Sequence, residues 1–310
     1  MASPGKPRGR LFRKYVVFFV TLVGGALLTS GLIEIYFSYR ENKMALVHLQ
    51  QEKAMAAASK IEQFIREIER QMGWTTQFPW DASPEALYQQ QVDYLRLLRQ
   101  VPAITEVSQL DPSGREQLRV SRLAMNVVGS KADFSRAPKF LAARSGKTYF
   151  GPVYFRRESA EPYMTIAMAG SGEPSGVTAV EVNLEFIWEV ISRIKIGKAG
   201  HAYVVDSVGQ LIAHPDISMV LRKTSLSSSP QVQAARKGLL KPGDERATIA
   251  PDLQGRQVLT AYGAIVPLGW LVFVEQPLEE VFAPLYSSIF RTAVLLVVGL
   301  ALSILVSLVL

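Results

Sequence analysis

Two uncharged apolar runs, one near each end, constrain everything this chain does between them. Residues 15–33 read YVVFFVTLVGGALLTSGLI and residues 292–310 read TAVLLVVGLALSILVSLVL. At about 1.5 Å of rise per residue, each run is long enough for the ~30 Å hydrocarbon core of a bilayer. Tyr36, Phe37 and Tyr39 follow the first run as an aromatic belt, and the long apolar run lacks a clear small-x-small cleavage site before Glu34, so it reads as an anchor that is kept. Lys6, Arg8, Arg10, Arg13 and Lys14 precede it without any acid, which places the N-terminus in the cytoplasm. Two spans then put the intervening segment outside, in a bacterial periplasm, and return the chain to the cytoplasm. The second run reaches Leu310, and an intracellular output module is expected beyond it.

The charge balance fits this arrangement. Lys and Arg number 34 against 27 Asp and Glu, a formal net charge of +7. The five basic residues ahead of the first run supply most of that excess, which excludes a basic nucleic-acid binder. Cysteine is absent, so disulfides, thiolate nucleophiles and Cys-ligated metals are excluded. His48, His201 and His214 are the only imidazoles, too few for a His-rich metal centre. No cofactor, metal or catalytic group is expected. A composition 48% hydrophobic and 20% charged is too apolar for disorder.

No proline interrupts the chain between Pro7 and Pro79, so one helix is expected to run from the membrane into the outer domain. Along it, Met44, Gln51, Ala58, Ile65 and Met72 share one heptad position and Val47, Ala54, Ile61 and Ile68 the other. Two partners satisfy such a stripe: a second copy in a coiled coil, or the domain's own sheet. Both remain open, and a homodimer through the stalk is expected.

Beyond a short helix near residues 87–99, strand patterns dominate and repeat. AITEVSQL (103–110) meets EQLRVSRL (116–123) across Asp111-Pro112-Ser113-Gly114; HAYVVD (201–206) meets QLIAH (210–214) across Asp206-Ser207-Val208-Gly209. Both are turn sequences closed by a glycine. A second hairpin running into a helix occurs at 163–191 and again at 258–285. There Glu181-x-x-Leu184-Glu185 answers Glu275-x-x-Leu278-Glu279. The two offsets, 95 and 94 residues, agree to within one, the mark of an internal duplication. The fold class expected is α+β: a long N-terminal membrane-and-stalk helix, two tandem PAS-like antiparallel sheets with helices, and a C-terminal transmembrane helix. The divisions are a basic tail (1–14), a first span (15–37), a stalk (38–78), a membrane-distal subdomain (79–196), a membrane-proximal subdomain (197–285) and a second span (286–310).

The stretch Gly197-Lys-Ala-Gly200-His-Ala-Tyr-Val-Val-Asp206-Ser-Val-Gly209-Gln-Leu-Ile-Ala-His214-Pro215-Asp216, with the stalk and the two halves, resembles the double Cache sensor domain over roughly residues 40–285. That resemblance implies the extracytoplasmic part of a bacterial receptor of histidine kinase, nucleotide cyclase or chemoreceptor type, with a small-molecule ligand in the distal half. It also implies a carboxylate grip from an Arg-Pro-aromatic-aromatic motif, and an amine grip from a Pro-Tyr-x-Asp and a later strand aspartate. Aligned on Pro138 and Phe140, Ala137 stands at the arginine with Arg136 beside it, and Lys139 takes an aromatic place. Tyr163 is kept, Thr165 replaces the first aspartate, and Glu181 stands for the strand carboxylate. The ligand-binding residues expected are Arg136, Phe140, Tyr149, Tyr154, Arg156, Tyr163, Thr165 and Glu181. Arg144, Lys147 and Arg157 add to a cationic and aromatic neighbourhood. Guanidinium forks match paired oxygens, so a small anionic or carboxylate-bearing ligand is expected in preference to an α-amino acid.

Other motifs yield less. Ser145-Gly146-Lys147-Thr148 imitates the end of a P-loop, but Leu141 stands where its first glycine belongs. Gly170-Ser171-Gly172 and Pro174-Ser175-Gly176 are turn sequences without a nucleophile elbow. His201, His214 and Asp216 lack a nucleophile to serve, and suit a structural or pH-tuning role. Asp111 and Asp206 are expected to cap their own turns. The expected function is ligand sensing in the inner membrane; the alternative is a membrane-anchored structural or partner-binding protein with a non-functional pocket.

Overall fold

A computed structural model of the chain describes residues 9–76, 81, 83–157, 159, 161–172, 174–238 and 247–309. Much of the expected basic tail, Pro79 and Leu310 lie outside the described residues. Helix α1 is continuous from Gly9 to Thr75, 67 residues, which is about 100 Å of rod. Its part from Val20 onward is the one described helix long and apolar enough to cross a membrane by length and composition. The last helix, α7 (Leu278–Val309), is also unbroken, but its described apolar stretch, Ile289–Gly299, is shorter than a span. The two helices run antiparallel and touch closely. Tyr39 stacks on Phe282 with centroids 5.5 Å apart, and Leu27 reaches Gly299 as Thr292 reaches Gly31.

Between them lie helix α2 (Pro84–Gln100), strands β1 (Ile104–Leu110), β2 (Glu116–Ser121) and β3 (Val127–Val128), and helix α3 (Pro138–Arg144). Strands β4 (Tyr149–Phe150), β5 (Tyr154–Phe155), β6 (Pro162–Ala169) and β7 (Val177–Asn183) and helix α4 (Glu185–Ser192) complete the first half. The second half has β8 (His201–Val205), β9 (Leu211–Ala213), α5 (Ile217–Leu221), α6 (Pro230–Gly238), β10 (Ala247–Pro251), β11 (Gln257–Ile265) and β12 (Trp270–Pro277). Two antiparallel sheets result, ordered β3-β2-β1-β7-β6-β4, with β5 also on β6, and β10-β11-β12-β8-β9. In both, the first hairpin sits beside the last strand of the unit, so the duplication seen in sequence is a duplication of topology.

The turn devices behave alike. Asp111 Oδ1 accepts from the backbone N–H of Ser113 and Arg115, and Asp206 Oδ1 from those of Val208 and Gln210. A third copy of the turn, unread in the sequence, closes on Asp252 and Gly255. Gly114 and Gly209 have φ of +85° and +90°, and a Cβ on either would stand under 3 Å from the backbone of Ser135 or Ser227. Only glycine meets both demands.

The apolar face of each sheet packs on α1. Ala54, Ala58, Ile61, Ile65, Ile68 and Met72 are at most 3% exposed and join Val107, Met164 and Val180 of the first sheet and Val204, Ile265 and Val272 of the second in one core. At Gly263 the approach is so close that a Cβ would lie 2.6 Å from the Ala54 carbonyl oxygen. This corrects the coiled-coil option for most of the heptad stripe. The stripe residues Ala54, Ala58, Ile61, Ile65, Ile68 and Met72 are consumed by the chain's own sheets and are unavailable to a second copy, whereas Met44 remains 53% exposed. The opposite face of the first sheet is covered in part by α3, and that of the second by α5 and α6.

Candidate ligand-binding site

The α3 side of the first sheet gathers polar side chains because alternation along β6 and β7 turns Tyr163, Thr165, Glu181 and Asn183 away from α1. Thr165 and Glu181 are register partners, and Thr165 Oγ1 donates to Glu181 Oε1 at 2.8 Å. Strand β5 brings Tyr154 alongside Tyr163, and the Tyr154 hydroxyl donates to Glu181 Oε2 at 2.6 Å. Both carboxylate oxygens are thus held from the protein side, which fixes the group in place. Partial burial, then the Glu181 carboxylate, push the Tyr154 hydroxyl well above its ordinary pKa, so it remains a donor.

Next to this lies a second polar knot. The Tyr163 hydroxyl donates to Glu161 Oε2 at 3.1 Å, and Asn183 Nδ2 donates to the same oxygen at 3.0 Å. The Arg156 guanidinium sits over the Tyr163 ring, 4.9 Å from its centroid. Burial first, and then Glu161, raise the Tyr163 hydroxyl.

Five of the eight residues singled out in the sequence therefore form one cluster: Tyr154, Arg156, Tyr163, Thr165 and Glu181. Phe140, 1% exposed, and Tyr149 belong to the adjoining apolar patch with Leu110, Ala167 and Ala179. Arg136 stands apart, exposed one residue before the Ala137 cap of α3, in the field of Asp133. Arg144 packs beside the Phe140 ring, and Lys147 and Arg157 face solvent.

Three contributors are not among the expected ligand-binding residues. Glu106 on β1 is the cross-strand partner of Glu181, and Glu161 and Asn183 complete the Tyr163 knot. The face is accordingly richer in carboxylates, and poorer in arginines, than the expected cationic neighbourhood. The signal for Glu106 lay in hairpin parity, but the β1–β7 register is a long-range pairing that local sequence does not specify. A groove of about 950 Å³ between α1 and α4, lined by Lys53, Lys60, Phe64, Phe186 and Arg193, lies away from this cluster.

The comparisons agree with this architecture. A Cache-domain family profile, dCache_1, matches residues 40–285. The methyl-accepting chemotaxis protein PctB of Pseudomonas aeruginosa is 30% identical over 96 residues, a stretch that is 30% of this chain and 15% of the relative. The ligand-binding domain of the Campylobacter jejuni chemoreceptor Tlp3, in complex with 4-methylisoleucine, superimposes with a TM-score of 0.57 at 15% identity, covering 81% of this chain and 95% of that one. The ligand-binding domain of P. aeruginosa PctB in complex with L-Arg gives a TM-score of 0.55 at 21% identity, covering 78% and 92%. With most of its length matched and two sheets stacked along one long helix, the chain belongs to the Cache-domain family.

Proposed function

We propose that this chain is the sensory part of a membrane-bound signalling receptor, and that its membrane-distal sheet binds a small carboxylate-bearing amine of the amino-acid class. The observation that carries this reading is the Glu106–Glu181 pair on the sheet face away from α1, with Glu181 held by Tyr154 and Thr165. Two carboxylates side by side in a partly buried setting favour a ligand ammonium between them. Arg156, poised over Tyr163 and acting on the Tyr154 hydroxyl, offers a cation for the ligand carboxylate. The amine grip that Thr165 lacks as a replacement for aspartate is supplied by Glu106. The amino acids bound by Tlp3 and PctB support the same class.

The receptor arrangement we propose places residues 38–285 outside a bacterial inner membrane, between spans in α1 and α7, with an output module of histidine kinase, cyclase or chemoreceptor type in the cytoplasm. Homodimerisation falls to the stalk before Gln50, because the later heptad positions are buried within one chain. A ligand shifts the receptor only by its difference in affinity for two states, typically ~1–3 kcal/mol of coupling.

The test is a thermal-shift titration of the full chain in detergent micelles against amino acids, amines and carboxylates. A ligand at about 100 times its Kd stabilises by about 2.7 kcal/mol. Stabilisation by an amino acid that is lost in Glu181→Gln supports the proposal. A folded protein that no compound stabilises points instead to a structural or partner-binding role.

A further inference from the structure

The second sheet repeats the polar arrangement of the first. Thr260 and Glu275 are partners across β11 and β12, as Thr165 and Glu181 are across β6 and β7. His201 on β8 pairs with Glu275 where Glu106 on β1 pairs with Glu181. Each carboxylate receives a tyrosine hydroxyl at 2.6 Å, Tyr154 on Glu181 and Tyr203 on Glu275. The difference is depth. Glu275 is 2% exposed and lines a cavity of about 250 Å³ bounded also by His201, His214, Gln231 and Asp252.

Two features show that this cavity is incomplete as a hydrogen-bonded core. Gln231 is 4% exposed, and its Nε2 donates to Glu275 Oε1 at 3.2 Å and to the Pro251 carbonyl at 3.4 Å. Both partners are acceptors, so the amide orientation is settled, and Oε1 is buried with no donor among the described residues. Secondly, Tyr203, Gln231 and Thr260 all donate to Oε1 of Glu275, and Oε2 receives none of these bonds. A buried acceptor without a donor, Gln231 Oε1, beside a cavity that a carboxylate lines calls for a donor.

The surrounding charges select its sign. Burial lowers the pKa of both His201 and His214, so their rings, 5.1 Å apart, favour the neutral form. Arg256 is taken by Asp252, whose Oδ2 accepts from Nε at 2.9 Å. No metal-type cluster of three or more ligands occurs among the described residues. Of the walls left over, Asp216 and Gln254 are polar, and Met219, Leu226 and Leu253 form an apolar part.

We infer that this membrane-proximal cavity is a second ligand site, for a small organic ammonium whose N–H groups reach Glu275 and Gln231 and whose alkyl part lies against Met219, Leu226 and Leu253. The site is separate from the distal one and does not rest on it. Its place in the chain gives it an output. Glu275 is three residues before the first residue of α7, and Glu280 in the first turn of α7 accepts from the backbone N–H of Lys198 and Ala199, at 3.0 and 2.9 Å, just before His201. An ammonium in the cavity therefore acts on both strands that anchor the start of α7.

The three histidines provide the test. The full chain, labelled with 15N-histidine in detergent micelles, is titrated with n-butylamine, 1-butanol and butyrate, which share one skeleton and differ in charge. n-Butylamine is expected to shift the His201 and His214 ring resonances saturably and to leave His48, on the stalk, unmoved. Glu275→Gln is expected to weaken this binding roughly tenfold or more, as loss of one charge-assisted contact implies, and Glu181→Gln to leave it unchanged. Gln231→Met removes the unpartnered oxygen, so it should raise the melting temperature of the free protein while weakening n-butylamine; this arm holds even where Glu275→Gln folds poorly. The proposal is overturned by the absence of a saturable shift, by an equal shift with butanol or butyrate, or by binding that Glu181→Gln abolishes and Glu275→Gln retains. The last result would assign the amine to the distal site, and the first two leave the distal reading untouched.

Discussion

Glu106 and Glu181 face each other across β1 and β7, two carboxylates in direct register on one side of a sheet, with the Tyr154 hydroxyl between their fields. Like charges in such a pair oppose folding, by about 0.2–1 kcal/mol. Glu106→Gln is therefore expected to raise the melting temperature of the free protein and to weaken binding of an amine-bearing ligand. A thermal melt and a titration on the same variant check both signs; a variant that is neither more stable nor weaker in binding removes Glu106 from the site.

The burial of the heptad stripe yields a prediction about stability instead of assembly. Ile65→Ala removes a fully buried side chain from the core shared by α1 and both sheets, and should cost about 2–5 kcal/mol. Met44→Ala, at a half-exposed position, should leave the monomer's stability within about 0.5 kcal/mol of the parent. Denaturant unfolding distinguishes this from a coiled-coil seam, in which both changes would act on the association constant.

Gly263 is another sensitive point, since its Cα lies against the Ala54 carbonyl. Gly263→Ala should push α1 off β11 and destabilise by about 1–3 kcal/mol, the usual cost of overpacking. Gly73→Ala, where a Cβ meets nothing within 4 Å, is the control and should be neutral or stabilising. Equal melting temperatures for the two variants would contradict the close contact.

The absence of cysteine makes cross-linking a clean probe of how α7 lies on α1. A Cβ on Gly31 falls 2.9 Å from Thr292 Cγ2. The double variant Gly31→Cys and Thr292→Cys should form an intrachain disulfide on mild oxidation, seen as a mobility change on a non-reducing gel. The pair Gly31→Cys with Leu305→Cys, thirteen positions farther along α7, should not cross-link.

The proximal cavity makes stability depend on pH in a defined direction. Burial lowers both His201 and His214 below the ordinary 6.5, with the charge of His201 adding to the effect on His214. The unfolded chain then takes up protons near pH 6.5 that the folded chain refuses, so stability is full above that pH and falls as the pH drops towards the folded values. Glu275, raised above 4.5 by burial, acts in the opposite sense: its cost disappears as the carboxyl protonates. Asp252, Arg256, Asp216 and Tyr203 also face the cavity or its histidines. Melting temperatures measured from pH 7.5 to 5.5 should fall for the parent and be flatter for His201→Gln combined with His214→Gln. An identical slope in the double variant would locate the acid sensitivity elsewhere.

Much of this architecture is readable along the chain. The unbroken α1 follows from the absence of proline between Pro7 and Pro79, and the two Asp-x-x-Gly turns follow from the one residue type that tolerates φ near +90°. The duplication is visible because Glu181 and Glu275 recur at nearly the spacing of Gly114 and Gly209. Such features are local: they depend on a few neighbouring residues, and propensity, periodicity and turn chemistry act at that range. The destination of the heptad stripe depended instead on which surface reached Ile61 and Ile65 first, the chain's own sheets or a second copy, and periodicity is the same in either case. Glu106 joined Glu181, and Gln231 joined Glu275, through strand pairings and helix packing between residues tens of positions apart. Those are decided by the register that buries the most apolar surface. The repeat unit was therefore determined by the sequence read alone, whereas which carboxylates meet, and which buried acceptor is left short of a partner, was decided by tertiary packing.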